Sequence, residues 1–118
     1  MPTILIVDDS MFIRSQLEKL LKEHGYQTLA AEDGKQAVCL YQSNRPDLVL
    51  MDITMPTMNG MDALTTIRLI DPRARIIMLT ALDQKLVAAR AVHSGARDFL
   101  IKPVVPKQLV QAIQKALR

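Results

Sequence analysis

Hydrophobic and polar positions fall into two kinds of block along this chain. The first is a short unbroken apolar run, as in Leu48-Val49-Leu50-Met51, which ends in Asp52. A run of that length and character predicts a strand buried on both faces, the kind found inside a parallel sheet. Thr3-Ile4-Leu5-Ile6-Val7 has the same form and ends in Asp8-Asp9. The second kind spaces its apolar residues three and four apart. Ile13, Leu17, Leu20 and Leu21 predict a helix over residues 10–24, with Asp9 or Ser10 as cap and Gly25 as stop.

The two kinds alternate to the end of the chain. Residues 26–31 predict a second strand, more polar and therefore at an edge of the sheet. Asp33 and Gln36 form a capping-box pattern, opening a helix on Ala37, Leu40 and Tyr41 that closes before Pro46. The Asp52 strand follows, then a loop over residues 53–60 marked by Pro56 and Asn59-Gly60. A helix on Leu64, Ile67 and Ile70 ends before Pro72, and residues 75–80 predict a fourth strand. Asp83 is placed to cap a helix over residues 84–93, which Gly95 stops. Asp98-Phe99-Leu100-Ile101 predicts a short fifth strand, and Pro106 opens a last helix on Leu109, Ala112, Ile113, Ala116 and Leu117. Five strand–helix units with short connections predict an α/β fold: a doubly wound parallel sheet with helices on both faces.

Composition narrows the class. A chain of 118 residues suits one domain, 1–118, with a real core. The single cysteine, Cys39, excludes an internal disulfide and fits a reducing compartment; its place within a helix suggests packing. The first apolar run is too short for a signal peptide, and no stretch approaches the roughly 20 residues of a membrane span. These features predict a cytoplasmic protein with no membrane partner.

The chemistry gathers at strand ends. Asp8, Asp9, Asp52, Thr80 and Lys102 each stand at or just beyond the end of an apolar run. In an open α/β sheet these ends share the edge where ligands bind. Alone, Asp8-Asp9 would read as a helix cap. Crowded carboxylates repel unless a cation neutralises them, and hard oxygen ligands suit Mg²⁺ in company with phosphate. A lysine, a hydroxyl and a nucleophilic carboxylate complete the parts needed for phosphoryl transfer.

These residues resemble the receiver domain of two-component response regulators. The likeness lies in Ile4-Leu5-Ile6-Val7-Asp8-Asp9-Ser10, the segment Asp52 to Gly60, Thr80-Ala81 and Lys102-Pro103, and it extends over essentially the whole chain. The stand-alone chemotaxis type is most similar. The resemblance implies a flavodoxin-like sheet of order 2-1-3-4-5 with five helices. It also implies that Asp52 accepts a phosphoryl group from a phosphohistidine on a sensor histidine kinase. Asp9, Asp52 and the Thr54 backbone carbonyl would bind Mg²⁺, with Asp8 acting through water. Lys102 would pair with phosphorylated Asp52, and Thr80 would shift toward a phosphoryl oxygen while Phe99 swings inward. The Lys102-Pro103 bond would be cis. Position 99 is often tyrosine in the family, so a hydroxyl contact is missing here. Leu82 and Thr54 would flank the path of attacking water, and a bulky Leu82 would slow loss of the phosphoryl group.

From Gln84 onward there are seven Lys/Arg residues and one acid, Asp98. With Lys102 assigned to the strand ends, Lys85, Arg90, Arg97, Lys107, Lys115 and Arg118 give this half a basic bias. One reading is a solvated face. The other is a surface for an acidic, partly apolar protein partner, as the family's fourth helix, fifth strand and fifth helix imply. Direct nucleic-acid binding is not expected, for want of a recognition motif and aromatics. His24 and His93, near helix ends, read as surface residues. A Mg²⁺-dependent phosphatase would want a second acid two residues after Asp52, where Thr54 stands. Flavin or dinucleotide binding would want a phosphate loop after the first strand, where Asp8-Asp9 repel phosphate. A signalling switch, rather than a turnover enzyme, is the expectation. Either a stand-alone regulator or the receiver of a larger, for example DNA-binding, regulator fits, although Ala112 stands where winged-helix regulators commonly carry arginine.

Overall fold

The central strand runs are apolar because both faces of the sheet are covered there. In the computed structural model, which describes residues 1–55 and 57–118 apart from the Leu82 side chain, five strands form one parallel sheet. They are β1 (Thr3–Val7), β2 (Gln27–Ala31), β3 (Leu48–Asp52), β4 (Ile76–Thr80) and β5 (Asp98–Ile101), in the order β2-β1-β3-β4-β5. The helices are α1 (Met11–Glu23), α2 (Gly34–Asn44), α3 (Gly60–Ile70), α4 (Lys85–His93) and α5 (Pro106–Ala116). The flavodoxin-like order is therefore as the family resemblance implied, and the more polar β2 is an edge strand.

Alternate residues of each strand feed opposite layers. Leu5, Val7, Val49, Met51, Ile76 and Met78 pack with α2, α3 and α4 through Ala37, Tyr41, Leu64, Ile67 and Ala88. Ile4, Ile6, Leu48, Leu50, Ile77 and Leu79 pack with α1 and α5 through Leu17, Leu21, Leu109 and Ile113. Every residue of β3 and β4 is buried. At about 1.5–3 kcal/mol for each large apolar side chain buried, these two central strands anchor whatever their ends carry.

Local chemistry sets the boundaries. Ser10, not Asp9, caps α1, its hydroxyl accepting from the Ile13 amide at 3.3 Å. Asp33 caps α2 by accepting from Gln36 N–H at 2.8 Å, but the Gln36 side chain reaches the amide of Glu32 rather than that of its cap. Asn59 is the cap of α3, accepting from the Asp62 amide at 2.9 Å, so the Asn-Gly pair starts a helix where the sequence suggested only a loop.

Two further expectations are corrected. Among the described residues Asp83 makes no cap bond: a 3-10 turn over Leu82–Gln84 precedes α4, and no described side chain caps that helix. Cys39 is exposed, because the buried stripe of α2 runs through Gly34, Ala37 and Tyr41 and leaves position 39 outside it. Among the described residues, no helix is long and apolar enough to cross a membrane. The Lys102-Pro103 bond is cis.

Candidate functional site

Parallel pairing of β1, β3, β4 and β5 brings their carboxyl ends to one edge. Asp8 follows β1, Asp52 and Thr80 are the last residues of β3 and β4, and Lys102 follows β5. The edge between β1 and β3 is also where consecutive connections leave toward opposite faces of the sheet, which opens a crevice there. Asp8, Asp9 and Asp52 meet in it, each offering a carboxylate oxygen within 4.8 Å of the other two. Asp8 and Asp52 are buried, while Asp9 is exposed. Because Ser10 caps α1, Asp9 is not consumed as the helix cap.

Lys102 lies between the two buried acids, its Nζ 2.8 Å from Asp8 Oδ2 and 3.1 Å from Asp52 Oδ1. Burial alone would lower the lysine's pKa, but the hydrogen bond and charge of Asp8, with those of Asp52, raise it above the usual range. Lys102 is thus held as a cation. The pKa of Asp52 is raised too, which for an acid disfavours the charged form: burial raises it, Lys102 opposes that, and the charges of Asp8 and Asp9 raise it further. The carboxylate is under electrostatic stress that a further cation would relieve. Three hard oxygen donors on one edge, with water-accessible Asp9 among them, fit a Mg²⁺ ion by charge and ligand type.

Backbone contacts fix the segment after Asp52. The Gly60 amide donates to the Ile53 carbonyl at 2.7 Å, and Gly34 N–H donates to the Met58 carbonyl at 3.1 Å. A Cβ at Gly60 would lie 2.1 Å from the Asp52 carbonyl oxygen, so only glycine lets α3 start this close to β3. Thr54, exposed, sits on this segment two residues beyond Asp52.

The remaining sequence-predicted residues take distinct places. Thr80 is fully buried, and its hydroxyl donates to the Ala81 carbonyl at 3.0 Å. Phe99 is partly buried against the layer containing α2, α3 and α4. The Leu82 side chain, expected to flank attacking water, lies outside the described residues. Lys85, Arg90, Arg97, Lys107, Lys115 and Arg118 are all exposed on or beside α4, β5 and α5. Leu86, next to Lys85 at the start of α4, is 83% exposed. His24 and His93 are surface residues.

Two residues near the site escaped the sequence reading. Arg14 donates from Nη1 to the Asp8 backbone carbonyl at 2.7 Å, tying α1 to the end of β1. Gln84 donates its side-chain amide to the Thr54 hydroxyl. The sequence separation of 30 between that pair leaves no local pattern from which it could be found.

Comparisons with known proteins agree on the class. The response regulator receiver domain profile matches residues 4–114. The chain is similar to chemotaxis protein CheY of Bacillus subtilis, 46% identical over 115 residues covering 97% of this chain and 96% of that one. It is similar to chemotaxis protein CheY of Thermotoga maritima at 43% over 113 residues, 95% of this chain and 94% of the other. Among solved structures, the CheX-CheY-BeF3-Mg+2 complex from Borrelia burgdorferi contains a chain that superposes with a TM-score of 0.93 at 34% identity, covering 98% of this chain and 89% of that one.

Proposed function

This chain belongs to the response regulator receiver domain family, and on that premise we propose that residues 1–118 act as one Mg²⁺-dependent phosphoacceptor domain, with Asp52 as the acceptor. The observation that carries the reading is the meeting of Asp8, Asp9 and Asp52 within 4.8 Å, with Lys102 bridging the two buried acids. An Asp52 carboxylate oxygen forms a bond to phosphorus as the bond from phosphorus to the kinase's histidine nitrogen breaks. The nitrogen leaves with the electron pair. Lys102 stays beside Asp52 and offsets the added negative charge. Thr80 turns its hydroxyl from the Ala81 carbonyl to a phosphoryl oxygen, and Phe99 moves into the space released. Mg²⁺, held by Asp9, Asp52 and the Thr54 carbonyl with Asp8 acting through water, would supply charge neutralisation to the phosphoryl oxygens. The domain serves as a switch whose occupancy biases two surface states, rather than as a turnover enzyme.

Two surfaces support the partners. On the donor side, Met11 and Phe12 are 72% and 69% exposed at the start of α1. A groove of about 510 Å³ on the same helix, lined by Ile13, Leu17, Leu20, Pro103 and Val104 with Gln16, Lys19 and Glu23 also on its wall, reaches Lys102. A sensor kinase helix presenting phosphohistidine beside Asp52 would bury this apolar shoulder. On the output side, Lys85, Arg90, Arg97, Lys107, Lys115 and Arg118 are exposed on or beside α4, β5 and α5, and Leu86 at the start of α4 is exposed as well. An acidic, partly apolar protein partner fits that face, as in a chemotaxis-type regulator working in the cytoplasm.

The test is transfer of labelled phosphate from a phosphorylated sensor kinase. The reading expects label on wild type only with Mg²⁺ present and none on Asp52→Asn. Equal labelling of Asp52→Asn would refute Asp52 as acceptor.

A further inference from the structure

Asp52 is only 6% exposed, and the end of β3 that carries it lies beside the end of β4, so the segments that follow these two strands both leave the sheet next to it. Those segments are joined. Gln84, at the end of the turn after β4, donates its side-chain amide to the hydroxyl of Thr54, two residues beyond Asp52. The same turn is tied to Thr80: the Ala81 carbonyl accepts both the Thr80 hydroxyl, at 3.0 Å, and the Gln84 backbone N–H, at 3.0 Å. One short path thus runs from Thr80 through Ala81 and Gln84 to Thr54.

We propose that Gln84 is a positioning residue that latches the segment after β4 to the segment after β3, across the approach to Asp52. The latch restrains both entry of the phosphodonor and hydrolysis of phosphorylated Asp52. In that hydrolysis a water oxygen bonds to phosphorus and the bond from phosphorus to the Asp52 carboxylate oxygen breaks. The carboxylate keeps the electron pair, and the products are inorganic phosphate and a proton released to solvent. When Thr80 turns toward a phosphoryl oxygen, the Ala81 carbonyl gives up the Thr80 hydroxyl but keeps the Gln84 backbone N–H, so the latch stays closed over phosphorylated Asp52 and ties the segment after β3 to the start of α4. It rests on the phosphoacceptor reading of Asp52 given above.

The test uses Gln84→Ala, Thr54→Val, the two combined, and Thr54→Ser, which keeps the hydroxyl. Each protein is loaded with a small acyl phosphate and Mg²⁺, the donor is removed, and loss of phosphate is followed by intact mass. Gln84→Ala and Thr54→Val should each decay about five-fold faster than wild type, the factor that one ordinary side-chain hydrogen bond is worth. The double variant should decay no faster than either single one, and Thr54→Ser should match wild type. Decay of Gln84→Ala at the wild-type rate, or multiplication of the two effects, overturns the latch. Backbone hydrogen exchange over residues 81–84 of the unphosphorylated proteins gives a readout independent of phosphorylation. It should quicken by a similar factor in Gln84→Ala and Thr54→Val; unchanged exchange overturns the latch even if Asp52 is phosphorylated normally. Failure of wild type to take up phosphate, with exchange responding as expected, would instead overturn the phosphoacceptor reading and the proposed effect on hydrolysis with it.

Discussion

Replacing Asp52 with asparagine should stabilise the metal-free protein. Asp52 shares its crevice with Asp8 and Asp9, with carboxylate oxygens within 4.8 Å. At an effective dielectric of about 20, two charges at that distance repel by about 3.5 kcal/mol, so the two neighbours together cost about 7 kcal/mol. Lys102, 3.1 Å from Asp52, offsets about 5 kcal/mol on the same scale. The balance is unfavourable by about 2 kcal/mol before the burial of charge is added. Asparagine keeps the shape and removes the charge. Lys102 is not orphaned by the change, because Asp8 remains 2.8 Å away. For a domain of this size about 2 kcal/mol corresponds to a rise in Tm of roughly 5–10 °C. The assay is thermal unfolding by circular dichroism in buffer containing EDTA. The sign of the pH dependence follows from the raised pKa of Asp52. The folded state holds this proton more tightly than the unfolded chain, so the penalty is full above the folded pKa. It shrinks as pH falls toward the ordinary carboxylate value and disappears below it. The gap between variant and wild type should close over the same range. Added Mg²⁺ should also narrow it by stabilising wild type through binding. A variant melting at or below wild type in EDTA at neutral pH would refute the electrostatic reasoning.

Three other substitutions probe separate parts of the account. Tyr41→Phe removes a hydroxyl that donates to Asp71 Oδ2 at 2.7 Å, joining the end of α2 to the residue after α3; the expected loss is about 1–2 kcal/mol, read from urea midpoints. Because that bond is the main cause holding Asp71 below the usual carboxylate range, wild type should lose this advantage as pH falls from about 4 through the depressed pKa, whereas Tyr41→Phe should show a shallower acid slope. Gly60→Ala would place a methyl group 2.1 Å from the Asp52 carbonyl oxygen; calorimetry should show destabilisation of about 3 kcal/mol or more. Phe12→Ala should slow phosphorylation by a sensor kinase several-fold, on the order of 10-fold for one buried aromatic anchor. It should leave uptake from a small acyl phosphate unchanged, because the Phe12 side chain is 69% exposed to solvent.

Much of this architecture is legible in the sequence because its signals are local. A strand buried on both faces writes itself as an apolar run, and β1, β3 and β5 begin and end where those runs do. The polar edge character of β2 and the proline that opens α5 are equally local. Placing Asp8, Asp52, Thr80 and Lys102 at strand ends then follows from the strands being parallel. Sequence reasoning failed where one segment answers to another. Asn59 reads as a turn residue until α3 is seen to start at Gly60. Asp83 has the chemistry of a cap, but the chain first makes a 3-10 turn and the cap position falls to Gln84, whose side chain is engaged with Thr54. Cys39 sits inside a helix but off its buried stripe, and that stripe is set by which face of α2 meets the sheet. Tyr41 with Asp71, Thr54 with Gln84, and Lys102 with Asp8 are 30, 30 and 94 residues apart, and no local periodicity encodes such pairs.

Whether Asp52 is the phosphoacceptor is decided by phosphoryl uptake from a small acyl-phosphate donor, read by intact mass with the modified residue located by peptide mapping. The account predicts one phosphoryl group per chain, on Asp52, requiring Mg²⁺ and absent from Asp52→Asn. No uptake under any condition, or a phosphoryl group that maps elsewhere, would contradict it.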